Sequence, residues 1–324
     1  MKAWQVHAWG EPESMQLAEV TPPEPGPKQV LIRTRAAALN FFDILQVQGK
    51  YQDKPPFPFT PGAEAAGIVD AVGSEVKHLE LGDPVMAFTW GGGLADCALA
   101  QADWTFPIPQ GMGFETAAAM PIVYHTSWYA LRHRGALQAG EWLLVHAGAS
   151  GVGMSAIQIG KALGARVIAT AGSPEKLDFA RAQGAGHTLD YRDGGWVEEV
   201  KRITGAGADV TYDPVGGDVF DLSTKCIAPH GRLLVIGFAG GRIPSIQANR
   251  ILLKDMSVVG VLWGGYARRH PGFVTEAQNE LARLYAEGKI RPMVGKTYPL
   301  EQAPVAMRDL ADRKIMGKAV LVAG

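Results

Sequence analysis

The chain has 324 residues, room for two domains, and carries 31 Lys and Arg against 32 Asp and Glu, a formal charge of −1. That balance argues against a nucleic-acid or anionic-membrane binder, which needs a basic surplus. With 47% hydrophobic and 19% charged residues the chain is too apolar to be disordered. Glycine is in excess, 40 residues or about 12% where about 7% is average, with no collagen-like period. Only two cysteines occur, Cys97 and Cys226, with no Cys-x-x-Cys, which excludes a disulfide scaffold and a four-cysteine zinc lobe. Two thiols suit a reducing cytosol. Met1–Gln5 has no apolar core of a signal peptide, so a cytoplasmic location is expected.

Residues 1 to about 120 are short β-like runs broken by Pro and Gly, such as Val30–Thr34, Gly67–Val72 and Pro84–Phe88. They predict a barrel-like β domain, with one short helix starting at Asn40. From about 140 strands and helices alternate. Strands are predicted at Trp142–His146, Arg166–Thr170, His187–Asp190, Asp209–Tyr212, Arg232–Ile236 and Met256–Leu262. Helices are predicted at Val152–Leu163, Pro174–Gln183, Trp196–Thr204 and Asp218–Ile227. This is the pattern of parallel βαβ units in a doubly wound dinucleotide fold. Trp142–Gly160 has no formal charge over 19 residues, but four glycines and several polar residues exclude a membrane helix. Beyond about 270 come a helix, Glu276–Glu287, and a final strand, Met316–Val322. That tail is too short for a third domain. The expected division is 1–122 with 268–324 for the first domain and 123–267 for the second. The sixth strand, apolar and at a sheet edge, invites pairing with a second copy, so a homodimer is expected.

Between the first strand and helix of the second domain stands Gly148-x-Ser150-x-x-Gly153, a dinucleotide fingerprint with Ser150 at its middle glycine. Gly148 permits a tight turn, the small Ser150 lets backbone approach a pyrophosphate, and Gly153 lets helix pack on strand. Gly151 and Val152 open that helix, whose unpaired N–H groups face the phosphates. A nucleophile elbow needs Gly-x-Ser-x-Gly, and Val152 breaks that pattern. An NAD site places an acid at the end of the second strand. Here that place reads Thr170-Ala171-Gly172-Ser173-Pro174-Glu175-Lys176. Ser173 and Pro174 are good helix-start residues. Lys176 falls in the first turn, where the helix dipole disfavours a cation unless a 2′-phosphate binds there. Missing acid and misplaced cation both point to NADPH. The alternative is a solvated Lys176 paired with Glu175 or Asp178.

With these come Asn40-Phe41-Phe42-Asp43 followed by Gly49 and Tyr51, Pro61–Val69, Gly82-Asp83-x-Val85, Tyr212-Asp213-x-Val215-Gly216 and Gly260-x-x-Trp263-Gly264. Nearly end to end, the chain resembles the medium-chain dehydrogenase/reductase superfamily, in its zinc-free quinone oxidoreductase (zeta-crystallin-like) branch. The resemblance implies an α/β protein, with a GroES-like β-barrel catalytic domain and a six-stranded parallel Rossmann domain. Zinc-dependent relatives place Cys where Asn40 stands, His where Ala63 stands, and a ligand near Ile122. None is present, so no metal is expected and activity should survive a chelator. The resemblance puts Asn40 and Thr126 near the nicotinamide, and Tyr191 and Arg313 near the 2′-phosphate. It makes Tyr51 a pocket residue that donates a proton in related enoyl-thioester reductases. The bland alternatives are a packed loop aromatic for Tyr51, a self-bonded helix residue for Thr126 and a solvated surface charge for Arg313. Gly172, Val215, Gly216, Phe238 and Trp263 are expected where cofactors bind in this fold, although Trp263 is equally a core or interface aromatic. Trp90, Trp128 and Trp263 are candidate aromatic walls. Leu45 replaces a Tyr of some members.

Three functions follow. The first is NADPH-dependent, metal-free reduction of a quinone-like small molecule. The second is reduction of an activated alkene: an enone, a 2-alkenal or an enoyl thioester. The third is a non-enzymatic nucleotide-binding, crystallin-like role.

Overall fold

The computed structural model describes residues 1–89 and 91–323, so Trp90 lies outside the described residues. In chain order the first strands are β1 (Lys2–Gln5), β2 (Gln16–Glu19), β3 (Gln29–Ala38), β4 (Glu64–Val72), β5 (Pro84–Phe88), β6 (Cys97–Gln101) and β7 (Thr105–Pro107). Between them lies helix α1 (Phe41–Val47), and after them α2 (Phe114–Ala118) and α3 (Pro121–Trp128). The alternating part follows as β8 (Trp142–Val145), α4 (Gly151–Ala162), β9 (Arg166–Ala171), α5 (Pro174–Ala182), β10 (His187–Asp190), α6 (Trp196–Thr204), β11 (Ala208–Asp213), α7 (Gly217–Ser223), β12 (Ile227–Val235), α8 (Ala248–Lys254) and β13 (Ser257–Gly260). Helices α9 (Trp263–Arg269) and α10 (Pro271–Ala286) come next, then β14 (Val294–Pro299), α11 (Ala303–Ala311) and β15 (Lys318–Val322).

The chain divides into two units, Met1–Ile122 with the segment returning at Pro292, and Val123–Arg291. In the first unit β3 is the hub. Its Gln29–Arg33 end pairs with β6, its length pairs with β4, and Ala36–Ala38 pair antiparallel with β15. The tail strand is thereby sewn beside the residues leading into α1, and Leu39 N–H donates to the Ala319 carbonyl at 2.9 Å. One apolar cluster packs Ala37, Leu39, Ala65, Ala319 and Leu321 under α1 and α11; a second gathers Val30, Ile32, Val69 and Val85.

In the second unit the strand order is β10-β9-β8-β11-β12-β13, all parallel. This is the doubly wound order 3-2-1-4-5-6, whose strands are buried on both faces and therefore continuously apolar. Leu143, Leu144 and Val145 of β8 are fully buried. Three expectations change. The helix expected at Asp218–Ile227 stops at Ser223, because Ile227 is needed in β12 opposite Ala208. The next paired position is Arg232 opposite Val210, so residues 228–231 bulge out, with His230 at φ 61°. The sixth strand is shorter than Met256–Leu262, and α8 and α9 flank it. Both α9 and α10 lie in the second unit, where the sequence put the return at 268. Tyr266 of α9 and Phe273 of α10 pack on Tyr129, with ring centroids 4.9 and 5.6 Å away, which holds them there.

Candidate functional site

The second unit carries the glycine turn. After β8 the chain passes fully buried His146 and then half-buried Ala147, whose φ is 50°, and Ser150 N–H donates to the Ala147 carbonyl at 2.9 Å. Gly148 N–H is tied to the Thr170 carbonyl of β9 at 2.8 Å. A Cβ on Gly153 would lie 2.1 Å from the Ala147 carbonyl oxygen, and one on Gly148 would lie 2.9 Å from the Ala169 Cβ. Only glycine lets α4 start this close to β8 and β9. Ser150 is the N-cap, its Oγ accepting from Gly153 N–H at 3.1 Å. Gly151 and Val152 are the first helical residues, half-buried, where backbone N–H groups have no intrahelical acceptor. This is a cradle for an anion, and it fits the diphosphate of a dinucleotide.

His146, not singled out from the sequence, braces the turn from behind. Its Nδ1 meets Thr170 Oγ1 at 2.9 Å and its Nε2 meets Ser223 Oγ at 2.7 Å. Ser223 Oγ already donates to the Val219 carbonyl, so Nε2 carries the hydrogen and Nδ1 accepts. Burial drives this imidazole down to about 3, so it is neutral at physiological pH and acts as a hydrogen-bonding strut.

At the end of β9, Ser173 caps α5, with Lys176 N–H 3.4 Å from its Oγ. Tyr191 directly follows β10 and starts a short 3-10 turn. Its hydroxyl lies across Gly172, where a Cβ would come within 2.4 Å. Gly172, Ser173, Lys176 and Tyr191 are thus gathered at one corner; no acid occupies Ala171 or Gly172, and the Glu175 carboxylate in the first turn of α5 accepts from the Ser173 hydroxyl. Asp178 takes Arg181 as its ion-pair partner. Arg313 belongs to the first unit, exposed just past α11 with φ 59°.

After β11, Asp213 is 1% exposed, and its Oδ1 accepts from Val215 N–H at 2.8 Å and Gly216 N–H at 3.0 Å. Burial raises its carboxyl despite those bonds. Gly216 adopts φ 70°, and a Cβ there would lie 3.0 Å from Phe238 Cδ1. Ala239 and Gly240 N–H groups donate to the carbonyls of Pro214 and Val215, which zips this loop to the one carrying Phe238. Val215, Gly216 and Phe238 are therefore brought together. Trp263, expected at a strand end, opens α9 just past the end of β13, is 6% exposed, and lies 5.7 Å from the His125 ring at a tilt of 32°. Thr126 is half-buried on α3, beside His125.

In the first unit, Asn40 is the N-cap of α1, and its backbone N–H donates to Asp43 Oδ2 at 2.7 Å. Its Nδ2 donates to Glu64 Oε1 at 2.7 Å, and its Oδ1 accepts from Lys318 Nζ at 2.8 Å. Lys318 also reaches Glu64 Oε1 at 2.7 Å and the Leu39 carbonyl at 2.8 Å, while Glu64 Oε2 accepts from Ile122 N–H at 2.7 Å. Lys318 is 2% exposed; Glu64 and Asp43 are fully buried. Burial pushes the Asp43 carboxyl up to about 7, against the opposing pull of the Asn40 N–H bond and Lys318 and with a smaller push from the Glu64 charge. Tyr51 is half-buried, stacked 5.2 Å from Phe42 of α1, with its N–H donating to the Leu45 carbonyl at 3.1 Å. The turn that places it needs Gly49 at φ 67°. This donor set does not fit zinc. The Asn40 amide is committed to an ammonium and a carboxylate, Ala63 has no donor atom, and among the described residues no group of three or more His, Cys, Asp or Glu is placed to hold a metal ion.

Glu64 and Lys318 carried no role in the sequence reading. Glu64 lies in the Pro61–Val69 motif. The signal for Lys318 is a lone charge heading an otherwise apolar strand.

Residues 26–110 match the alcohol dehydrogenase GroES-like domain, and residues 151–279 match the domain described as zinc-binding dehydrogenase. The chain is 37% identical to a quinone oxidoreductase of Pseudomonas aeruginosa over 325 residues, covering 99% of each protein. Among solved structures, Escherichia coli quinone oxidoreductase complexed with NADPH aligns with a TM-score of 0.93 and 34% identity, over 99% of this chain and all of that one. The CurK enoyl reductase aligns with a TM-score of 0.91 and 27% identity, over 100% of this chain and 99% of that one. A GroES-like domain and a six-stranded parallel Rossmann sheet are the architecture that the resemblance implied. The chain belongs to the medium-chain dehydrogenase/reductase superfamily, among its quinone oxidoreductases.

Proposed function

We propose that this enzyme is an NADPH-dependent oxidoreductase that reduces a quinone-like small molecule without a metal. The observation that carries the cofactor is the corner at the end of β9. Ser173, the first turn of α5 with Lys176, and Tyr191 meet there around Gly172, and no acid occupies Ala171 or Gly172, where an NAD site places its carboxylate. The α4 N-terminus from Ser150 to Gly153 holds the diphosphate, and Val215, Gly216 and Phe238 line the cofactor's path. Arg313 adds a cation for the 2′-phosphate. When bound, NADPH supplies hydride from its dihydronicotinamide. Thr126 and Asn40 orient the nicotinamide and the acceptor carbonyl. Asn40 is an amide donor, able to polarise a carbonyl without itself ionising. Tyr51 lines the acceptor site from the end of α1. The similarity to a Pseudomonas aeruginosa quinone oxidoreductase supports the acceptor class.

A second reading is supported by the likeness to an enoyl reductase. In it Tyr51 donates its phenolic proton to the α-carbon of an activated alkene as hydride arrives at the β-carbon. Both readings are tested by NADPH oxidation over quinones, enones, 2-alkenals and enoyl thioesters, with Tyr51→Phe beside the parent. Quinone turnover that survives Tyr51→Phe supports the first reading. Alkene turnover that exceeds quinone turnover and collapses in the variant supports the second. NADPH binding with no oxidation by any acceptor sinks both.

We also propose a cytoplasmic homodimer joined through β13. That strand is an edge of the six-stranded sheet, and Leu252, Leu253 and Leu262 around it are exposed. No helix among the described residues is long and apolar enough to cross a membrane.

A further inference from the structure

We propose that Lys318 and Glu64 are positioning residues that lock the Asn40 side-chain amide in one orientation, so that its second Nδ2–H is held as a donor. The inference rests on the reading of Asn40 as a hydrogen-bond donor in the reaction.

An amide has two faces that differ only in which end donates. Lys318 is donor-only and Glu64 acceptor-only, and they grip the two ends of the same amide. Rotating it by half a turn would set NH2 against ammonium and carbonyl oxygen against carboxylate. Both contacts would then be repulsive, and two charge-assisted bonds would be lost. The grips are themselves fixed. All three Lys318 N–H groups are used, on Leu39, Asn40 and Glu64. The other Glu64 oxygen is held by the backbone of Ile122. The Asn40 backbone is held by Asp43.

A buried ion pair is a poor device for stability, because an apolar pair of similar volume often serves as well or better. A Lys–Glu pair at 2% and 0% exposure, closed around one amide, is explained by what it does to that amide.

Three asparagines occur, Asn40, Asn249 and Asn279, so 15N-asparagine labelling yields three side-chain amide pairs. The Asn40 pair is assigned by its loss in Asn40→Ala. The test substitutes both charges, Lys318→Met with Glu64→Gln, which leaves no unpaired buried ion. The expected result is a retained cooperative thermal transition and a collapse of the Asn40 proton splitting toward that of exposed Asn249. Turnover of 1,4-benzoquinone at saturating NADPH should fall at least tenfold. In an Asn40→Ala background the same pair of substitutions should change turnover less than twofold. An unchanged Asn40 amide signal with unchanged turnover overturns the proposal. So does an equal loss in both backgrounds, which makes the pair merely structural. If Asn40→Ala alone keeps full turnover, the donor reading of Asn40 fails, and the amide signal still reports whether Lys318 and Glu64 hold it. Should the double variant lose its thermal transition, Lys318→Gln with Glu64→Gln is read the same way, because two amides enforce neither orientation and leave no unpaired buried ion.

Discussion

Replacing Gly153 by alanine tests the glycine turn most directly. The new Cβ would sit 2.1 Å from the Ala147 carbonyl oxygen, 2.8 Å from its carbon and 2.9 Å from Gly148 Cα. Contacts under 3.0 Å do not occur in real structures, so atoms must separate by about 0.9 Å, the difference between 3.0 and 2.1 Å. All three neighbours are backbone, and none can rotate away. The Ala147 carbonyl is also pinned by Ser150 N–H at 2.9 Å. The N-terminus of α4 must therefore back away from β8, against fully buried Met154, Ala156 and Ile157. Overpacking of this kind costs about 1–3 kcal/mol of stability. The shift also moves N–H donors from their phosphate, and each bond to a charged group is worth about 1.5–3 kcal/mol. Losing the value of one such bond raises the NADPH Kd roughly tenfold or more. Fluorescence titration with NADPH and thermal melting read the two effects. Gly272→Ala is the control, since a Cβ there meets nothing within 4 Å and helix α10 gains propensity. A Gly153→Ala protein with NADPH affinity within twofold of the parent and an unchanged Tm would refute the reasoning.

Asp43→Asn should flatten the dependence of stability on pH. A folded carboxyl at about 7, above its ordinary value of 3.8, binds its proton more tightly folded than unfolded. Its stabilisation is complete below about pH 4 and lost as pH rises through 7, on the order of 4 kcal/mol in all. Asparagine keeps an acceptor for Asn40 N–H and does not titrate, so parallel curves for parent and variant from pH 5 to 8 would contradict the assignment. Lys176→Ala should raise the Kd for NADPH at least tenfold and that for NADH less than twofold; equal losses would remove Lys176 from the 2′-phosphate site. Prolonged EDTA treatment should leave turnover unchanged, and loss of activity restored by zinc would reverse the reading of Asn40 and Ala63. Light scattering at micromolar concentration should report a dimer, and a monomer would end the proposal for β13.

Local chemistry wrote most of the second unit into the sequence. β10 and α6 stand at the predicted residues, and α4 and α5 begin at Ser150 and Ser173 caps that short-range patterns reveal. The cradle of Gly148 to Gly153 was legible for the same reason, because strand, turn and helix are consecutive. What required the tertiary structure was everything set by distant partners. Ile227 leaves its expected helix because Ala208 claims it across the sheet. β13 closes at Gly260, short of the expected Leu262, and Trp263 opens a helix that no local pattern announced, its ring beside that of distant His125. The amide grip on Asn40 joins residues 254 and 278 positions apart in the chain. No local periodicity records such a meeting. It exists because β15 returns antiparallel to β3 and sets one buried ammonium beside the head of α1.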